Sequence, residues 1–255
     1  MELPGTGEWP GNSRPSESSG GGPDILFLSE TKMDMRRIEG LRWKLGLTNL
    51  VVNYCNGKSG GLAIFWRKEI DLHLRGTSRF YIDADVVEAD GFVWRFTGFY
   101  GEPKSEKKDL SWKVLRTLSA ARRRPWLCVG DFNEVLLRCE KEGGQPKPQS
   151  CMDRFRQALE DCSLTDLGYV GDTFTWWNNS HRSENYIRER LDRVVADAAW
   201  CARFPNFRVI NGTRIILIIG RLLWRWGRKW VEISGRVAAH FGLRQVGSRR
   251  RIVEQ

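Results

Sequence analysis

Short apolar runs that close on polar residues recur along the chain from Asp24 onward, and they constrain its fold more than any other feature. "DILFLSE", "GGLAIFW", "DLHLRG", "FYIDADVVEA" and "FVWRFTGFYG" are rich in β-branched and aromatic residues and read as strands. Helical patterns sit between and after them. "KKDLSWKVLRTLSAARRR" puts Leu110, Val114, Leu115 and Leu118 on one helical face, and "CMDRFRQALEDCSL" does the same with Met152, Phe155 and Leu159. "TFTWWNNS" reads as a strand running into a turn, and "YIRERLDRVVAD" as a strand or short helix. Strands and helices alternate in mixed order, which places the chain in the α/β class with a substantial antiparallel component. No internal repeat is visible.

The two ends differ in texture from this middle. Residues 1–22 are a Gly/Pro/Ser-rich leader expected to be disordered, residues 23–213 are expected to form one domain, and residues 214–255 are a basic, Trp/Arg-rich tail without clear period. The net charge of +10 resembles that of a nucleic-acid binder, but ten Arg/Lys against two Glu lie after residue 213, so the body carries only about +2. The tail's interleaved Arg and Trp suit RNA, DNA or an acidic membrane surface, and an out-of-frame peptide would have the same look.

Six cysteines without a C-x-x-C are expected to be reduced thiols, neither a zinc site nor a disulfide framework. No apolar run approaches the ~18–20 residues of a spanning helix. The N-terminus shows neither the basic start nor the apolar segment of a signal peptide, so an intracellular protein is expected.

"PWLCVGDFNEVL" raises the chemical question. An apolar strand ends in Gly130 and then presents Asp131 and Asn133 two positions apart, on one side if the chain stays extended. Carboxyl ends of strands are where α/β folds build sites; a plain G-D-x-N turn is the alternative. Glu30 stands at the end of "DILFLSE" in the same way. A carboxylate there suits Mg²⁺, which keeps several waters and binds through one or two carboxylates; the alternative is a polar residue opening the next helix, with Ser29 or Thr31 as its cap.

Six blocks in order, "PDILFLSETK", "SGGLAIFW", "FTGFYGEP", "PWLCVGDFNEVL", "FTWWNN" and "RLDRVVAD", resemble the endonuclease/exonuclease/phosphatase superfamily over about residues 23–213, in particular the apurinic-endonuclease-like domain of plant non-LTR (LINE-type) retrotransposons. The resemblance implies a four-layer α/β sandwich, two mixed β-sheets flanked by helices, incomplete here at its N- and C-terminal strands. It also implies Mg²⁺-dependent (or Mn²⁺-dependent) hydrolysis of DNA phosphodiesters by a monomer that enters the nucleus and uses neither a membrane nor a small-molecule cofactor. By the same resemblance Glu30 is the metal-binding residue, sharing its cation's neighbourhood with Asp131. Tyr100 contacts the scissile phosphate, Asp131 and Asn133 position the attacking water and the phosphate, and Asp192 orients a catalytic histidine. For Asp192 a surface ion pair with Arg188 is the alternative.

The sequence departs from the superfamily pattern at both ends. No W-N-x-R-G-like block precedes Glu30, and Asn12 in "GNSR" follows no apolar strand, so it inherits no role. No S-D-H block exists, and only His73, His181 and His240 are present. His73 alternates with Leu72 and Leu74 as a solvent-facing strand residue would, His181 lies in a polar stretch and His240 in the tail. Loss of a general base typically costs about 10²–10⁴ in rate, so impaired catalysis is expected. The alternatives are an inactive relic that retains nucleic-acid binding and a phosphoesterase of the same superfamily acting on a lipid or inositol phosphate. The changes of texture suggest a decayed retrotransposon copy or a frameshifted reading at each end.

Overall fold

The computed structural model describes residues 23–31, 34–54, 61–121, 124–178, 180 and 182–212, and beyond them the backbone of strands Ile215–Ile219, Leu222–Trp226, Lys229–Ile233 and Val237–Phe241. The leader, Asn12, His181 and the tail's side chains lie outside the described residues. Chain order begins β1 (Ile25–Ser29), α1 (Met35–Lys44), β2 (Asn49–Asn53), β3 (Leu62–Trp66), β4 (Asp71–Ser78), β5 (Tyr81–Val87), β6 (Val93–Tyr100), α2 (Lys108–Ala120), β7 (Trp126–Asp131) and α3 (Gln149–Asp161).

Both faces of the central strands are buried, which explains why their sequences are continuous apolar runs instead of alternating ones. On β1, Ile25 and Phe27 face inward with Leu62 and Ile64 of β3, while Leu26 and Leu28 face outward onto Ile38 of α1. On β7, Leu127 and Val129 face inward, and Trp126 and Cys128 face outward onto α2 and α3. The period of two thus sorts side chains into three apolar layers: α1 against the first sheet, sheet against sheet, and the second sheet against α2 and α3. The result is the expected α/β arrangement of mixed sheets flanked by helices.

The first sheet has seven strands in the order Val170–Gly171, Ile210–Gly212, Ile215–Ile219, Val237–Phe241, β1, β3, β2. The second has six, β4, β5, β6, β7, Asp192–Ala196, Thr165–Asp166. Two strands of the aperiodic tail therefore join the first sheet, and Val237–Phe241 lies parallel to β1 with His240 opposite Leu28. Where the sheets press together, Gly98 of β6 leaves the room that Phe27 fills, since a Cβ there would stand 2.2 Å from its ring.

One sequence reading needs correction. The buried face of α2 is Lys108, Ser111, Trp112, Leu115 and Leu118, and Leu110 is exposed. Trp112 wins the inward position because its ring stacks on Phe155 of α3 at 4.6 Å. Of the two alternatives for "YIRERLDRVVAD", the strand holds: the segment gives Arg188–Glu189 and Asp192–Ala196. Cys128, Cys139, Cys151, Cys162 and Cys201 carry free thiols.

Candidate active site

Three neighbouring strands of the second sheet bring their ends together at one edge. Tyr100, the last residue of β6, is in register with Asp131, the last of β7, and Asp131 is in register with Asp192, the first residue of Asp192–Ala196. Glu30 reaches the same place from the end of β1, where it accepts a 2.6 Å hydrogen bond from the Tyr100 hydroxyl. That bond crosses from one sheet to the other. Glu30 itself has φ 50°, a left-handed backbone uncommon outside glycine, so the chain turns sharply as it leaves the strand.

The G-D-F-N loop is a turn and a site at once. β7 ends at Asp131, and the chain does not stay extended through Asn133, which has φ 55°. The Asn133 backbone N–H donates to Asp131 Oδ1 at 2.7 Å, an Asx turn, and its Nδ2 donates to the Gly101 carbonyl at 2.9 Å. Gly101 N–H in turn donates to the Asp131 carbonyl at 2.6 Å. The glycines of the Y-G and G-D blocks are there for closeness: a Cβ on Gly130 would lie 1.8 Å from the Phe99 carbonyl oxygen, and one on Gly101 2.3 Å from that of Phe132.

Asp192 is only 4% exposed, and Arg188, its alternative partner from sequence, instead pairs with Glu142 at 2.6 Å. The Glu30 alternative also fails, because α1 is capped by Asp34, whose side chain accepts from Arg37 N–H at 2.9 Å. Of the histidines, His73 is exposed and bonded to Asp71, far along an edge strand, and His240 is described by its backbone alone.

Sequence reasoning missed two residues. Thr175 of "FTWWNN" accepts from the backbone N–H of Leu191 at 3.0 Å and of Asp192 at 3.1 Å, fixing the start of that strand. Lys108, at the start of α2 and 2% exposed, donates to the carbonyls of Glu102, at 2.5 Å, and Asn133. Nothing in "KSEKKDL" distinguishes Lys108 from Lys104 or Lys107. A buried quartet braces the floor: Arg190 and Arg193, on either side of the Leu191–Asp192 pair, each bridge Glu140 and Asp166.

The site is electrostatically crowded. Burial pushes the Asp131 carboxyl up to about 7, with Glu30 and Glu189 adding to the rise and the Asn133 N–H and Lys108 opposing it. Burial and the Asp131 charge raise Asp192 well above the carboxylate range, and its Oδ1 is buried without a hydrogen-bond partner. Burial and Glu30 raise the Tyr100 hydroxyl, which stays a phenol at neutral pH. Lys108 is lowered by burial to about 8. Among the described residues no three His, Cys, Asp or Glu side chains are grouped to hold a metal. The hard oxygen of Glu30, beside carboxylates whose charges repel, nevertheless suits a cation that keeps most of its waters.

The sequence model of the Endonuclease/Exonuclease/phosphatase family matches residues 9–208. No curated protein matches the chain. Among solved structures, the endonuclease domain of TRAS1, a telomere-specific non-LTR retrotransposon, is similar at 13% identity and TM-score 0.51, covering 73% of this chain and 91% of that one. A 3'-5' exonuclease, NExo, from Neisseria meningitidis is similar at 20% identity and TM-score 0.53, covering 73% and 81%. A substituted form of the 3' phosphatase NExo from Neisseria, bound to product DNA hairpin, is similar at 19% identity and TM-score 0.52, covering 73% and 81%. At these identities the likeness is one of fold.

Proposed function

The chain belongs to the endonuclease/exonuclease/phosphatase family, and from that premise we propose that its site is built for metal-assisted hydrolysis of a DNA phosphodiester, at a depressed rate, since among the described side chains no histidine stands at the site. The observation that carries this reading is that Tyr100, Asp131 and Asp192 stand in register at neighbouring strand ends, with Glu30 tied to them across the sheets by the Tyr100–Glu30 hydrogen bond.

Glu30 would hold a divalent cation, Mg²⁺ or Mn²⁺, with water completing its shell. Once bound, the cation supplies Lewis-acid stabilisation of charge on the phosphoryl oxygens. The remaining work falls to the chain. Asp131, with a carboxyl near 7, is poised to orient a water and accept its proton close to neutral pH. Asn133, fixed through both its backbone and its carboxamide, is a rigid neighbour for the phosphate. Tyr100 keeps a neutral hydroxyl that holds Glu30 in place. Asp192 would orient an imidazole, and its unpartnered Oδ1 is a seat for a donor that no described side chain fills. This favours slow turnover, or in its extreme an inactive relic that retains nucleic-acid binding.

The test is nicking of supercoiled plasmid by the full chain with Mg²⁺ and with EDTA. Slow, metal-dependent nicking abolished by Asp131→Ala supports hydrolysis. No nicking, with retained binding of a DNA hairpin, leaves the relic. Equal nicking by Asp131→Ala rejects this site as its source. A role in retrotransposition, like the one the TRAS1 domain's description carries for that protein, belongs to the same proposal.

A further inference from the structure

Lys108 is a buried cation beside the G-D-F-N loop that the mechanism above does not use. Its ammonium has three N–H donors, and two of them go to neutral carbonyls, Glu102 from the Y-G-E loop and Asn133 from the G-D-F-N loop. Neither bond cancels its charge. The charged groups around it are Glu134, Asp131 and Glu102, which favour the ammonium, and Lys147, which opposes it. Glu134 is already paired with Lys147 at 3.3 Å. The charge of Lys108 is therefore available to Asp131, whose ionised form it stabilises.

Two loops from different strands converge on this one side chain. The Glu102 loop is pinned a second time where Ser111 of α2 accepts from the Glu102 N–H at 2.7 Å, so α2 fastens both loops from below. Asn133 has a left-handed backbone, which asparagine tolerates better than most residues in a turn of this kind. The carbonyl of that residue is what Lys108 holds.

We propose that Lys108 is a positioning residue of the site, fastening the Asn133 and Glu102 loops together through their carbonyls. As a claim about turnover, its role rests on the hydrolytic reading above; as a claim about loop geometry it does not.

The experiment compares the full-length chain with Lys108→Met and Lys108→Arg. Amide hydrogen exchange is followed over residues 131–135, and plasmid nicking is resolved into kcat and KM. Met is expected to speed exchange at the Phe132 and Asn133 amides at least about tenfold and to lower kcat about 10²-fold, the scale of a catalytic group displaced by roughly 1 Å, with KM changed less than about threefold. Arg, which restores the charge and the donors, is expected to recover kcat to within about fivefold. Met indistinguishable from wild type in both readouts overturns the proposal, as does equal loss in Met and Arg. If wild type does not nick, the hydrolytic reading fails by itself, and exchange alone decides Lys108: local deprotection by Met and not by Arg supports it, and unchanged or global deprotection rejects it.

Discussion

Asp192 sits directly across from Asp131 on the neighbouring antiparallel strand, so a buried and a half-buried carboxyl group share one cross-strand pair. Like charges opposite each other destabilise a ladder: the Asp131 charge adds to burial in raising Asp192, and burial with Glu30 and Glu189 raises Asp131. Asp131 in the folded chain titrates near 7 against 3.8 for the unfolded group. Between those values the native state binds more protons than the unfolded one, so stability falls as pH rises from about 4 to about 7 and levels off above. Asp131→Asn removes the charge while retaining an acceptor for the Asn133 N–H. In EDTA, urea unfolding should show this variant more stable than wild type by about 1–3 kcal/mol at pH 8, a margin that shrinks toward zero as pH falls below 3.8.

A cation bound at Glu30 would relieve the same repulsion. At Mg²⁺ tenfold above its dissociation constant, linkage gives about 1.4 kcal/mol of stabilisation, or a few degrees in melting temperature for a domain of this size. The rise should appear at pH 8, where Asp131 is ionised, and disappear in Glu30→Gln. A melting temperature unmoved by Mg²⁺ would remove Glu30 as its ligand.

Much of this site was legible in sequence because its residues sit where strands stop. Apolar runs that terminate in Glu30 and Asp131 mark the strand ends by themselves, since a polar group can follow a doubly buried strand only where the sheet meets solvent or a site, whereas Tyr100 and Asp192 are named only through the family resemblance. The three apolar layers follow from a period of two. Lys108 and Thr175 were not legible, because what they do depends on which backbone groups a distant loop leaves unpaired. Leu110 misled for a related reason: helical spacing names a face, but the choice between Leu110 and Trp112 belongs to Phe155, on another helix well along the chain. The arm of the first sheet beyond residue 213 was hidden because runs such as "IILII" and "VAAHF" carry strand propensity without an alternating face to declare a register.

Gly130 offers a sharp test of the parallel contact between β6 and β7. A methyl group placed 1.8 Å from the Phe99 carbonyl oxygen meets backbone, which cannot swing aside as a side chain can. Gly130→Ala is expected to cost at least about 3 kcal/mol, at the upper end for overpacking, and to release Asp131 from register with Tyr100. Gly91→Ala, in an open turn where nothing lies within 4 Å, is the control. Its φ of 81° should limit the cost to about 1 kcal/mol.

Glu140 tests the buried quartet under the site. Its carboxylate takes Arg190 at 2.8 Å and also Arg193, which is 1% exposed, and it accepts from the Leu136 N–H at 2.7 Å. Burial alone would raise its carboxyl, but the Arg193 hydrogen bond and charge, the Leu136 N–H and Arg190 together hold it below the usual value of 4.5. A depressed carboxyl contributes stability that is present above about 4.5 and is lost as pH falls through the folded value. Glu140→Gln keeps the shape and leaves Asp166 to face both guanidinium groups alone, so it is expected to cost about 3–5 kcal/mol at pH 7. It should also flatten the loss of stability below pH 4.5. Because Arg190 and Arg193 flank Asp192, the same change should speed amide exchange at residues 190–193 more than in β4, the far edge of the sheet. Uniform deprotection across both would mean that the quartet supports the whole fold and not this floor in particular.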